Sequence, residues 1–403
     1  MVRMTRRRLP VVAVSVALLA ASPAGAGDSP LAKRLERALA VPHVSQARTG
    51  AVAFDLQTGE TLFTEHDGLP LAPASNEKLA IAYTALVTLG EDFRIQTDVL
   101  GRGVQDGTTW RGNLLLVGHG DPTLSTAGLL ALARQVRALG IRHVTGGVFG
   151  DESYFDARRT GAGWKSWFYV NECAPLSALT VDRGRYYGRT SGEPALAAAL
   201  LFRNALRHAG VSVGGAGLGK SRDADSMLAS IESAPLAQIV AWMGRVSDNF
   251  TAELLLKQIG AAGGEVGTSV DGAALVRSTL AGAGVPLAGV RLVDGSGLSS
   301  LDRLTARALA GVLRAAWADP DVRPYFIAAL PVAGISGTLH DRMRTPPARG
   351  NVQAKTGTTS LASALSGYVK KRYIFSVLQN GRPVSPYWAR KAQDRFASLL
   401  AAQ

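Results

Sequence analysis

Ser75 and Lys78 lie three residues apart in Pro73-Ala74-Ser75-Asn76-Glu77-Lys78, the one place in 403 residues where a serine precedes a lysine at that spacing. Two further polar signatures follow in order, Ser247-Asp248-Asn249 and Lys355-Thr356-Gly357. If the three serve one site, distant parts of the chain must meet, and the 172 residues between Ser75 and Ser247 must be housed largely outside the common core. That requirement restricts the fold more than any compositional feature does. It calls for a fold in which distant parts of the chain share one core.

The residue types suit one chemistry. On a helix over 75–88 the side chains of Ser75 and Lys78 share a face, so the amine can take the proton of the hydroxyl. A lysine does this when burial or a second cation, for which Lys355 is a candidate, discourages its own charge. The Ser75 amide at a helix start can donate to a developing oxyanion. Ser247 and Asn249 lie in a loop between two apolar helical stretches. From there the hydroxyl can relay a proton to a leaving group, and the amide can hold a substrate amide and orient Lys78. Lys355, Thr356 and Thr358 offer donors to a carboxylate, Gly357 lets a substrate backbone approach, and the Thr358 amide can complete an oxyanion hole. Taken singly, each signature also has a structural reading: Ser75 as an N-cap, Ser247-Asp248-Asn249 as a turn capping the next helix, Lys355-Thr356-Gly357 as the end of a strand. Their conjunction, once each and in order, favours the chemical reading, since this trio is shared by β-lactamases and penicillin-binding proteins.

The periodicity fits an α/β (α+β) fold. Residues 51–64 alternate as two strands around Gln57-Thr58-Gly59-Glu60, and residues 352–355, 362–368 and 373–378 alternate likewise. These segments predict one antiparallel sheet flanked by helices near 75–88 and 235–260, with further helices over 305–319 and 386–402. Between them the texture turns rich in Gly and β-formers, which places an inserted, mainly β domain at 98–225 within a discontinuous domain of 27–97 and 226–403.

Residues 1–26 carry Arg3, Arg6, Arg7 and Arg8, then an apolar stretch, then Ala24-Gly25-Ala26, the pattern of a cleavable export signal. Thr5-Arg6-Arg7-Arg8-Leu9 also resembles a twin-arginine signal, which leaves the export route open. Without those four arginines the net charge falls from +13 to +9. A basic exported protein suits anionic wall polymers or lipid headgroups. Nucleic acid is not expected, because no Lys/Arg run interleaved with aromatics is present. The single Cys173 rules out an internal disulfide, and the spacing of His, Cys and acids calls for no metal and no organic cofactor. Membrane contact is expected to be peripheral at most, through the helical C-terminus.

The chain resembles the penicillin-binding proteins of the D-alanyl-D-alanine carboxypeptidase/endopeptidase type, the DacB-like class C proteins of low molecular mass. The likeness runs from Pro73-Ala74-Ser75 through Gly120-Asp121-Pro122-Thr123-Leu124, Asp294-Gly295-Ser296-Gly297-Leu298 and Gly337-Thr338-Leu339 to Ser366-Gly367-Tyr368. It implies a serine β-lactamase/transpeptidase-like fold, with Ser75 acylated, Lys78 the base, Ser247 the proton relay and Asn249 a ligand of the substrate amide. Lys355, Thr356 and Thr358 would receive the terminal D-Ala carboxylate of a peptidoglycan stem peptide, and β-lactams would acylate Ser75 as covalent inhibitors. It also implies a periplasmic or extracellular wall location. Where members that prefer diaminopimelate stems carry an acid, this chain has Trp167, with Glu172 as a substitute. The rivals are a β-lactamase, a non-catalytic β-lactam- or wall-binding protein of the same fold, and a general esterase. The long interval between the first two signatures argues against the β-lactamase, the complete reactive set against the binding protein, and Ser247 in place of a tyrosine against the esterase.

Overall fold

The computed structural model describes residues 29–403, so the export signal expected at 1–26 lies outside the described residues. A five-stranded sheet runs in the order Val352–Thr358, Ala362–Val369, Tyr373–Asn380, Thr49–Asp55, Thr61–Glu65. Every pairing is antiparallel, with Thr49 opposite Gln379 and Lys355 opposite Ser366. The two ends of the chain thus meet between Thr49–Asp55 and Tyr373–Asn380.

Both faces of this sheet are covered, which is why Ala362–Val369 is buried at every position instead of alternating. On one face lie the helices Pro30–Leu39 and Pro386–Ala401, whose apolar sides meet Phe63 and Phe375, with Phe396 edge-on to Phe63 at 5.5 Å. On the other lie Leu236–Val246, Asn249–Gly263, Ala306–Ala318 and, among them, Lys78–Leu89. The last is apolar all round, as a helix enclosed by other helices must be, and it ends at Gly90, whose φ of 85° is open to glycine.

A second sheet draws its strands from between Gln96 and Glu232. Its centre is the hairpin Gln96–Asp106 and Thr109–Gly118, flanked by Ser226–Glu232 on one side and Val148–Asp151 then Ala216–Leu218 on the other. The helices Thr126–Ala138 and Pro194–His208 pack on it around Phe202 and Leu132, a core separate from that of the first sheet. Among the described residues no helix is long and apolar enough to cross a membrane.

Candidate active site

The nucleophile segment differs from expectation in one respect. Ser75 is not inside an α-helix but in a single 3-10 turn, Ala74–Glu77, that leads into the helix Lys78–Leu89. Pro73 precedes the turn and Ala74 takes a left-handed φ of 47°. Residues three apart eclipse in a 3-10 turn, so the change of helix type keeps the pair together. Lys78 Nζ donates to Ser75 Oγ at 2.8 Å. The Ser75 hydroxyl makes no capping bond, which removes its structural reading as an N-cap.

Lys78 is 1% exposed, and its amine has two further acceptors, Asn249 Oδ1 at 2.8 Å and the Ser296 carbonyl at 2.7 Å. Burial brings its pKa down to about 8, against the opposing charges of Asp294, Glu253 and Asp248. Burial therefore does what the sequence left open between burial and a neighbouring cation.

Ser247 and Asn249 flank Asp248 at a helix junction. Ser247 closes Leu236–Val246 in a left-handed conformation, φ 60°, and Asp248 caps Asn249–Gly263 by accepting from the Thr251 amide at 2.7 Å. The capping reading therefore holds for Asp248, while its neighbours turn to the cleft. Ser247 Oγ accepts from Lys355 Nζ at 2.7 Å, and Asn249 Nδ2 donates to the Glu172 carbonyl at 3.0 Å. Lys355 is 1% exposed, and burial, then the charge of Lys78, holds its amine well below the ordinary lysine range. The structure thus joins the three signatures by hydrogen bonds: Ser75 to Lys78, Lys78 to Asn249, and Lys355 to Ser247.

Thr356, Gly357 and Thr358 lie on the edge strand of the first sheet and line a cleft of about 480 Å³ with Ser75, Ser247, Asn249 and Glu172. Thr356 Oγ1 is 2.7 Å from Thr338 Oγ1, and Arg390 reaches Thr358 Oγ1 at 3.4 Å. Gly357 lines the cleft and also meets a need within the chain itself. A Cβ there would lie 3.0 Å from the Pro73 carbonyl oxygen and 3.1 Å from Ala74 Cβ and Asn76 Nδ2. The close approach is to the chain's own nucleophile turn, where Asn76 Nδ2 already donates to the Lys355 carbonyl at 3.1 Å. Gly357→Ala is expected to leave the fold intact and to slow acylation on the order of tenfold by pushing the strand off the turn, read from the rate of penicillin labelling.

Several contributors have no side-chain signature in the sequence. The Ser296 carbonyl is presented by Asp294-Gly295-Ser296-Gly297, whose two glycines signal a tight loop but not its partner. At Gly297, φ 79°, a Cβ would sit 1.9 Å from the Ala74 carbonyl oxygen, so loop and nucleophile turn touch backbone to backbone. Trp164 Nε1 donates to Asp294 Oδ2 at 2.8 Å, and Arg183 to Asp248 at 2.5 Å, so the segment carrying the second sheet reaches down to the site.

Residues 31–192 and 186–403 match the D-Ala-D-Ala carboxypeptidase 3 (S13) family. The chain belongs to that family. A D-alanyl-D-alanine carboxypeptidase of an Actinomadura species is 34% identical over 478 residues, 95% of this chain and 88% of the relative. Carboxypeptidase DacB of Mycolicibacterium smegmatis is 33% identical, covering 96% and 86%. Penicillin-binding protein 4 (dacB) of Haemophilus influenzae superimposes with a TM-score of 0.81 at 21% identity over 90% of this chain and 98% of its own. That protein has also been solved with a β-lactam bound, and that complex superimposes at 0.74. The S13 membership agrees with the serine-lysine chemistry the geometry supplies, and the shared fold with the antiparallel sheet and its flanking helices.

Proposed function

We propose that this S13 protein is a serine D-Ala-D-Ala carboxypeptidase that cleaves peptidoglycan stem peptides, with endopeptidase action on cross-links, and that β-lactams inhibit it. The observation that carries the reading is the buried Lys78 amine, 2.8 Å from Ser75 Oγ and shifted by burial toward its neutral form. Ser75 Oγ attacks the carbonyl carbon of the penultimate D-Ala while Lys78 takes its proton. The amides of Ser75 and Thr358 steady the oxyanion. As the intermediate collapses, the C–N bond breaks and the terminal D-Ala leaves as an amine, protonated through Ser247. Water then hydrolyses the ester. Lys355, Thr356 and Thr358 hold the terminal carboxylate, and Asn249 the substrate amide and the Lys78 amine.

An anion arriving at Lys355 favours the charged form of its amine, and a charged Lys355 disfavours charge on Lys78. In a β-lactam the leaving nitrogen stays tethered to the acyl group, so it is retained where departing D-Ala would make room for water.

The assignment of both chain ends, expected as 27–97 and 226–403, to the peptidase domain and of the part between, expected as 98–225, to an insert belongs to this reading; the separate core of the second sheet supports it, and the strand Ser226–Glu232 of that sheet carries the insert's far edge past 225. So does export to the periplasm or outer wall compartment, supported by the sequence of residues 1–26. The test is release of free D-alanine from a peptide ending in D-Ala-D-Ala, measured beside mass spectrometry of the protein after benzylpenicillin. D-alanine release with one long-lived penicilloyl adduct is expected. Rapid penicillin turnover without D-alanine release would replace the peptidase with a β-lactamase. Neither release nor adduct would leave a binding protein.

A further inference from the structure

Beneath the nucleophile turn, four carboxyl groups are wholly buried: Glu77, Glu253, Asp294 and Asp302, each 0% exposed. Oxygens of Glu77, Asp294 and Asp302 lie within 4.8 Å of one another. Among the described residues Lys78 is a buried cation on which two of the four, Asp294 and Glu253, act, with Asp248 and Cys173 acting on it as well, and its charge bears in turn on Lys355. Four carboxylates cannot all be ionised around one ammonium in a site closed to bulk solvent.

Hydrogen bonds say which group keeps its charge. Asp294 is saturated with donors, the amides of Ser296 at 3.1 Å and Gly297 at 2.7 Å on Oδ1, and the Ser299 amide at 2.7 Å with Trp164 Nε1 at 2.8 Å on Oδ2. Glu253 Oε1 accepts from the amides of Gly295 at 3.1 Å and Ser296 at 2.8 Å, its Oε2 has no donor, and burial, then the charge of Asp294, lifts its pKa to about 8, so it stands apart from the other three as a group that titrates with Lys78. Asp302 receives one donor, the Val293 amide at 2.8 Å on Oδ1, and its Oδ2 has none. No donor reaches either oxygen of Glu77. A carboxyl in that position is satisfied only by carrying a proton and donating it to another carboxyl.

We propose that Glu77, Asp302 and Asp294 form a proton-sharing chain, Glu77 donating to Asp302 and Asp302 to Asp294, and that it acts as a positioning device for Lys78. Within these three groups two protons are held, and one negative charge remains, on Asp294. Asp294 organises the loop whose Ser296 carbonyl accepts from Lys78 Nζ, and Glu77 is the residue immediately before Lys78, so the chain clamps the base from both sides. The electrostatics agree. Burial, then the charges of Asp302 and Asp294, pushes Glu77 well above the usual carboxyl range, and burial, then the charge of Asp294, lifts Asp302 to about 10. The positioning role rests on Lys78 being the base. The protonation of the chain does not.

Glu77→Gln tests it, because a glutamine copies the neutral, donating form. A carboxyl whose pKa is raised on folding stabilises relative to its ionised form at low pH, and that advantage is lost as pH rises toward the folded value. Between its unfolded and folded pKa each such group makes the unfolding constant rise tenfold per pH unit, a window that for Asp302 runs from about pH 5 to about pH 9. The variant is expected to fold, to keep its rate of penicillin acylation within about threefold, and to show a pH dependence of unfolding shallower by one power of ten per unit. Asp302→Asn is expected to give the same reduction. The acid limb of acylation, near pH 8 from Lys78, should stay in place in Glu77→Gln, since no charge is removed.

An unchanged unfolding slope together with a limb displaced to lower pH would show that Glu77 is ionised, and would overturn the proposal. So would a divalent cation found by elemental analysis in the native protein and lost in the variant. Absence of any penicillin adduct on the parent, with the slope change still present, would sink the catalytic reading and leave the chain standing.

Discussion

Ser75→Ala is expected to abolish penicillin labelling and to cut release of D-alanine by about 10⁴-fold or more, the scale on which loss of a covalent nucleophile falls. The variant should nevertheless fold as the parent does. Its Lys78 amine keeps two of three acceptors, Asn249 Oδ1 and the Ser296 carbonyl, and the lost hydroxyl caps no helix. Thermal unfolding of parent and variant, run beside intact-mass measurement after benzylpenicillin, checks both halves. An adduct that persists in Ser75→Ala at an unchanged rate would move the nucleophile elsewhere in the cleft, with Ser247 the only other serine lining it.

The clarity of this expectation reflects how legible the site is. The spacing of Ser75 and Lys78 could be read because residues three apart meet in an α-helix and in a 3-10 turn alike, so an error in helix type did no harm. The edge strand carrying Lys355 could be read from alternation, and the closing of the sheet by both chain ends from the place of strands at 49–65 and 352–380.

What escaped was whatever acts through the backbone or through long-range burial. The Ser296 carbonyl has no side chain to announce it. At Gly357 nothing in the sequence says that the missing side chain also admits the nucleophile turn. Glu77, Glu253 and the neighbours Asp294 and Asp302 come from three distant parts of the chain, and no spacing in the sequence shows that they meet. Only their convergence beside Lys78 shows that the base sits over buried carboxyls that cannot all be charged at once.

Lys78→Met follows from the same convergence. Methionine fills the volume of the lysine stem but cannot accept a proton, so acylation is expected to fall by about 10²- to 10⁴-fold, the range for loss of a general base. Its effect should depend on pH in a stated direction. In the free enzyme only the neutral amine can act, so the acylation rate of the parent should climb with pH and level off above about 8, where burial places the Lys78 pKa. The variant has no such group and should show no rise through that region, which makes the ratio of the two rates largest on the alkaline side. Stability should suffer as well. The Ser296 carbonyl loses its charged donor at 2.7 Å, at a cost of about 1–3 kcal/mol for a buried acceptor left without a partner. The negative charge on Asp294 also loses the cation that offsets it. Rates of penicillin acylation for both proteins between pH 6 and 10 decide the matter. A parental limb that survives intact in Lys78→Met would assign the titrating base to Lys355 instead, the other buried amine within reach of a cleft hydroxyl.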